Sequence, residues 1–124
     1  MNQAVIAVLV AGLLPLVCAG IAKWGMKGYD NSQPRVWLAQ LGGFRARANA
    51  AQMNSFEAFP FFAAAVGLAL YNQVPTVQIV QCSWFFIIMR VLYIYCYVAN
   101  HALMRSICWF LGLASVIRLY IMAL

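Results

Sequence analysis

Arg47, Asn54 and Glu57 stand seven and three residues apart, and Arg90, Tyr93 and Tyr97 three and four apart. Each set falls near one face of a helix, where side chains at these spacings are neighbours. Glu57 is one of only two acidic residues, and an almost unbroken apolar run follows it. A carboxylate or guanidinium in such surroundings is costly and faces a partner or a wet cavity. Arg90 lies inside a second apolar run and carries the same implication. Glu57 and Arg90 are each about ten residues from the same end of their helices, roughly 15 Å deep at 1.5 Å per residue. Equal depth predicts an ion pair between them. Such a pair would fix helix register, and its remaining donors stay open to a ligand. Arg105-Ser106 opens a third apolar run. By itself that arginine reads as a cation snorkelling to the membrane interface.

The elements that must position these groups follow from composition. Of 124 residues 66% are hydrophobic and 8% charged, which places the chain with multi-pass membrane proteins. Eight basic residues against two acidic ones leave a net +6. The basic residues form no single stripe, so nucleic acid is not the implied partner. They read as topology signals beside anionic lipid. Cys18, Cys82, Cys96 and Cys108 are scattered through apolar runs, without a CxxC pair. With the lone His101 they make no metal set, and they read as free, buried thiols.

Four spans are expected, over residues 4–22, 48–71, 77–98 and 103–124, each long enough for the ~30 Å hydrocarbon core. The first could be taken for a signal peptide, and the sequence around Cys18 weakly suggests a lipoprotein site. Lysines follow the run at Lys23 and Lys27 instead of preceding it. An uncleaved first helix is therefore expected. Residues 22–47 form the one long polar segment, with Lys23, Lys27, Arg35, Arg45 and Arg47 against Asp30. Tyr29 to Pro34 is turn chemistry, and Gly42-Gly43 breaks any helix between Val36 and Leu41. The basic loop is expected on the cytoplasmic side, as topology signal or anion site. Pro60 falls inside the second span and can kink it. Arg118 is expected to snorkel outward. Trp37, Trp84 and Trp109 read as membrane-facing or packing residues. The fold class is all-α: a four-helix antiparallel membrane bundle with both termini outside.

Arg47-Ala48, Ala51, Asn54, Glu57, Pro60 and Phe62 together resemble the RA-x-x-A-x-x-N-x-x-E-x-x-P-x-F signature of the MAPEG family. These are the membrane-associated proteins of eicosanoid and glutathione metabolism. Arg90, Tyr93 and Tyr97 resemble its R-x-x-[HY]-x-x-x-Y, and Arg105-Ser106 the Arg-Ser opening its fourth helix. The resemblance runs through all four spans and looks closest to the bacterial branch. It implies a homotrimer, with glutathione as co-substrate held between subunits near the cytoplasmic side. Arg47, Asn54, Glu57, Arg90, Tyr93, Tyr97 and further arginines such as Arg35 would bind it. Arg105 would stabilise its thiolate, with Ser106 adding a hydrogen bond. A fixed guanidinium beside a thiol does favour the anion, which is the nucleophile. Three positions depart from the pattern. Ala50 stands where eicosanoid-type members carry a second arginine, Ala58 where a tyrosine is frequent, and Gln52 where a histidine is common. Arg35, Arg45 and Lys27 are the candidates to compensate.

Three functional readings follow. The first is an integral membrane glutathione-dependent transferase or peroxidase acting on lipophilic electrophiles or hydroperoxides that enter from the bilayer. The second is a non-catalytic membrane binding or assembly subunit with the same fold. A transporter or channel, the third reading, is disfavoured by four short spans without an internal repeat. A bacterial inner membrane with both termini periplasmic is the expected location.

Overall fold

The computed structural model describes residues 2–25, 28 and 31–124. Lys27, Tyr29 and Asp30, assigned above to the first loop, lie outside the described residues. The helices in chain order are α1 (Asn2–Lys23), α2 (Pro34–Ala39), α3 (Gly43–Tyr71), α4 (Thr76–Val98) and α5 (Ala102–Ala123). All but α2 are long and apolar enough to cross a membrane. The protein is thus an all-α, multi-pass membrane bundle. The short turns at 72–75 and 99–101 force α3, α4 and α5 to run antiparallel.

α1, α4 and α5 have 22, 23 and 22 residues. At ~1.5 Å per residue they match the hydrocarbon thickness. α3 is longer, with 29 residues. It begins at Gly43 rather than at residue 48, so Arg45 and Arg47 belong to a helix and not to a loop. Both arginines are used at once. Arg45 Nη1 donates to the carbonyl of Ala22 at 3.0 Å, and Arg47 Nε to that of Val98 at 3.2 Å. These carbonyls end α1 and α4, where acceptors lack a partner within their own helix and the dipole is negative. The first loop carries the six residues of α2, a helix that ends before the break expected at Gly42-Gly43. Pro34 starts it, since its fixed φ suits a first helical position. The glycine pair then serves as the boundary, with Gly43 at φ +60°.

Packing in lipid relies on close backbone approach. α1 turns Ala4, Ala7, Ala11, Leu14, Cys18 and Ala22 inward, and α3 faces it with Ala48, Ala51, Ser55, Ala65 and Ala69. Val5, Leu9, Leu13, Leu16 and Val17 on the other face of α1 are exposed, as a lipid-facing surface must be. α4 and α5 meet at Gly112, where a methyl group would come 3.5 Å from Met89 Cβ. One turn on, Ser115 Oγ donates to the Cys82 carbonyl at 2.7 Å. Phe62 and Phe86 stack with centroids 4.1 Å apart and join α3 to α4. All four cysteines are free and buried, as read from their scatter. Pro15 and Pro60 lie inside α1 and α3 without dividing either helix.

The turns close in the same manner at both ends. Gln73 and Asn100 take φ of +58° and +64°. Each lets the following amide turn back, Val74 N–H to the Ala69 carbonyl and His101 N–H to that of Cys96. Left-handed residues of this kind satisfy the last acceptors of a helix.

Candidate functional site

α3 presents Asn54 and Ser55 to α4. Arg90 Nη1 donates to Asn54 Oδ1 at 2.8 Å, and Arg90 Nη2 to Ser55 Oγ at 3.1 Å. Ser55 in turn donates its hydroxyl to the Ala51 carbonyl at 2.8 Å, the usual back-bond of a serine in an apolar helix. The expected Glu57–Arg90 pair does not form within the subunit. The two residues do line one cleft, but rotation about the helix axis keeps them from pairing. Ser55 sits on the small-residue stripe that packs inward, and two residues later Glu57 has turned about 200° away from it. Glu57 is exposed on the subunit surface. Arg90 is only 4% exposed and has neutral partners.

Aromatic rings extend the arrangement toward the near end, the one that carries α2. The Arg90 guanidinium lies over the Tyr93 ring, 4.2 Å from its centroid. Tyr93 and Tyr97 meet edge to face at 5.6 Å and 84°. The Arg105 guanidinium lies over Tyr97 at 4.5 Å. A continuous column, Ser55–Arg90–Tyr93–Tyr97–Arg105, therefore links α3, α4 and α5. Stacking occupies the flat face of a guanidinium, whereas its N–H donors point outward in the plane. For Arg105 no described residue takes those donors, so they are available to a ligand.

Two clefts of about 200 Å³ open beside the column. Tyr93, Tyr97, Arg105 and Ser106 line one. Arg90 and Glu57 line the other, with apolar Phe61, Phe86 and Leu113. Asn54 and Trp109 line both. A third cleft, about 360 Å³, holds Arg35, Asn49, Gln52 and Glu57. Each of the first two is smaller than the roughly 300 Å³ at which ligand sites usually begin. Arg47 lines none of the three and is committed to the end of α4. Arg47 apart, the sequence-derived residues thus divide between the arginine–tyrosine column and the exposed flank of α3 and α2.

Two site residues escaped the sequence reading. Ser55 is recognisable from its place four residues after Ala51 on the inward stripe. Trp109, expected as a membrane-facing or packing residue, forms a wall of both clefts; it stands four residues after Arg105 and so on its face of α5. Among the described residues no group of three or more His, Cys, Asp or Glu side chains converges.

Fold and site together define a class: multi-pass helical membrane proteins, here with two arginines and two tyrosines gathered in one column between helices. Family comparison narrows it. The MAPEG family model matches residues 3–124, and the chain belongs to that family. Membership makes it part of a membrane family known for glutathione-dependent activity. Comparison with curated proteins and with solved structures finds no significant match.

Proposed function

We propose that the protein is a membrane glutathione-dependent transferase or peroxidase in which Arg105 stabilises the glutathione thiolate. One observation carries the reading. The Arg105 guanidinium lies over the Tyr97 ring at 4.5 Å, gives no hydrogen bond to a described residue, and shares a cleft with Ser106. A guanidinium held beside a thiol favours the thiolate over the thiol and requires no rearrangement when charge develops. The thiolate sulfur then bonds to the electrophile, and the displaced group or adduct takes up a proton. With a hydroperoxide, two glutathiones become a disulfide as the peroxide is reduced to alcohol and water. The apolar wall at Phe61, Phe86 and Leu113 adjoins the same chamber and suits a lipophilic substrate arriving from the bilayer.

In this proposal the rest of glutathione is held by hydrogen bonds from Asn54, the phenols of Tyr93 and Tyr97, Arg35, and the remaining donors of Arg47. Glu57 accepts from its ammonium group. Arg90 acts mainly by orienting Asn54. A homotrimer completes the site, because Glu57 is exposed on a subunit that must sit in lipid. The second reading, a non-catalytic binding or assembly subunit, is favoured by the donors of Arg47 and Arg90 that are spent inside the subunit.

Glutathione titration with far-ultraviolet absorbance separates the two. Catalysis predicts a new thiolate band, because a free thiol near pKa ~8.5 is only slightly ionised at neutral pH. Arg105→Leu should remove the band and lower kcat/KM by about 10²–10³-fold, the scale of losing one oriented donor. Binding should weaken less. Glutathione bound at millimolar concentration without a band would reject the enzyme and leave the binding role. No binding at all would leave assembly.

A further inference from the structure

Between α4 and α5, near the end of the bundle opposite α2, runs a groove of about 400 Å³ lined by Gln81, Cys82, Phe85, Leu111, Ser115 and Arg118 among others. It shares no lining residue with the three clefts of the candidate site. Its polarity is graded along its length. Arg118 and Gln81 are both exposed, and each lies five residues inside the end of its helix. That is a depth of about 7–8 Å at 1.5 Å per residue. Phe85 and Leu111, 42% and 44% exposed, continue the groove toward the bilayer centre. Their depths along α4 and α5 are roughly 14 and 18 Å. Ser115 is not an open donor, because its hydroxyl is given to the Cys82 carbonyl.

Arg118 makes no hydrogen bond, ion pair or ring contact with a described residue. A guanidinium at this depth requires an anion or water, and its long stem allows it to reach the headgroup level. A cation at the mouth and an apolar trough below it match an amphiphile with an anionic head and an acyl tail. No acidic side chain lines the groove, so the ammonium of a zwitterionic lipid finds no counter-charge there. Gln81 offers an amide to a glycerol or ester oxygen.

We infer that this groove seats an acidic phospholipid of the adjacent leaflet, its phosphate on Arg118 and an acyl chain along Phe85 and Leu111. The site is independent of the glutathione chemistry proposed above.

The test places a reporter in the trough. Leu111→Trp in the full-length protein is reconstituted into vesicles of phosphatidylglycerol and phosphatidylcholine, with brominated acyl chains on one lipid at a time. Parent protein in the same vesicles supplies the background from Trp24, Trp37, Trp84 and Trp109. Phosphatidylglycerol should quench the reporter about fivefold more efficiently at equal mole fraction, the ratio that one basic residue near the membrane surface supports. Adding Arg118→Gln should remove the preference, and Arg118→Lys should retain most of it. Melting temperatures of the variants show that each remains folded. Equal quenching by both lipids overturns the inference. So does a preference that survives Arg118→Gln. Quenching by neither lipid also overturns it and assigns the groove to contact with a second copy of the chain.

Discussion

At the residue scale, Ser55 and Arg90 divide what a single charged pair was expected to do. A buried guanidinium is tolerated here through hydrogen bonds to neutral oxygens and a tyrosine face. Ser55→Ala should therefore matter more for folding than its size suggests. It leaves a buried N–H of Arg90 without an acceptor, a loss of about 1–3 kcal/mol in reversible unfolding from mixed micelles. An unchanged unfolding midpoint would show that water replaces the hydroxyl. Ser83 presents the opposite case. It is fully buried on α4, and its Oγ has no partner among the described residues. Ser83→Ala removes a desolvated hydroxyl and should stabilise the bundle by about 1 kcal/mol in the same assay. Destabilisation would instead reveal an ordered water bonded to that hydroxyl.

At the element scale, the length of α3 decides how the near end is built. Its first turns bring Arg45 and Arg47 onto the last carbonyls of α1 and α4. Arg47→Leu should therefore loosen the end of α4, which carries Tyr97, and leave the far half of the bundle unaffected. Hydrogen exchange should show amides near 95–101 losing protection while those near 79–87 keep theirs. Uniform loss would mean that the arginine supports global stability rather than one helix end. The α4–α5 pair depends instead on the absence of a side chain. Gly112→Leu inserts a branched group where even a methyl sits 3.5 Å from Met89 Cβ and 3.6 Å from the Phe86 ring. A cost of about 1–3 kcal/mol is expected from overpacking, whereas Gly112→Ala should be nearly neutral.

At the scale of the whole molecule, the open question is what covers Glu57 in the bilayer. The proposed homotrimer places a neighbouring subunit there, and native mass spectrometry in several mild detergents should show three copies per particle. A monomer throughout would reject the proposal. Orientation is tested separately. Lys23, Arg35, Arg45 and Arg47 all lie at the near end, while the turn at 72–75 has no basic residue. The basic end should face the cytoplasm. Single cysteines at Ser32 and Gln73, introduced in a cysteine-free background, should be labelled from the cytoplasmic and opposite sides respectively. The reverse pattern would invert the topology.

Sequence by itself determined the number of candidate spans, their all-α character and the family. These are local properties. A bilayer requires every backbone group to be satisfied within its own helix, so apolar length reads directly as a span. The short helix α2 and the early start of α3 were less legible, because hydropathy carries little information over a short or polar stretch. Tertiary structure alone decided rotation: which face of α3 meets α4, and hence that Arg90 bonds Asn54 and Ser55 while Glu57 stays exposed at the edge of their cleft. Helical spacing places residues on a common face but does not say toward which neighbour that face turns. That choice belongs to the sum of contacts along the inward stripe, where Ala48, Ala51 and Ala65 allow an approach that Glu57 on the same side would prevent.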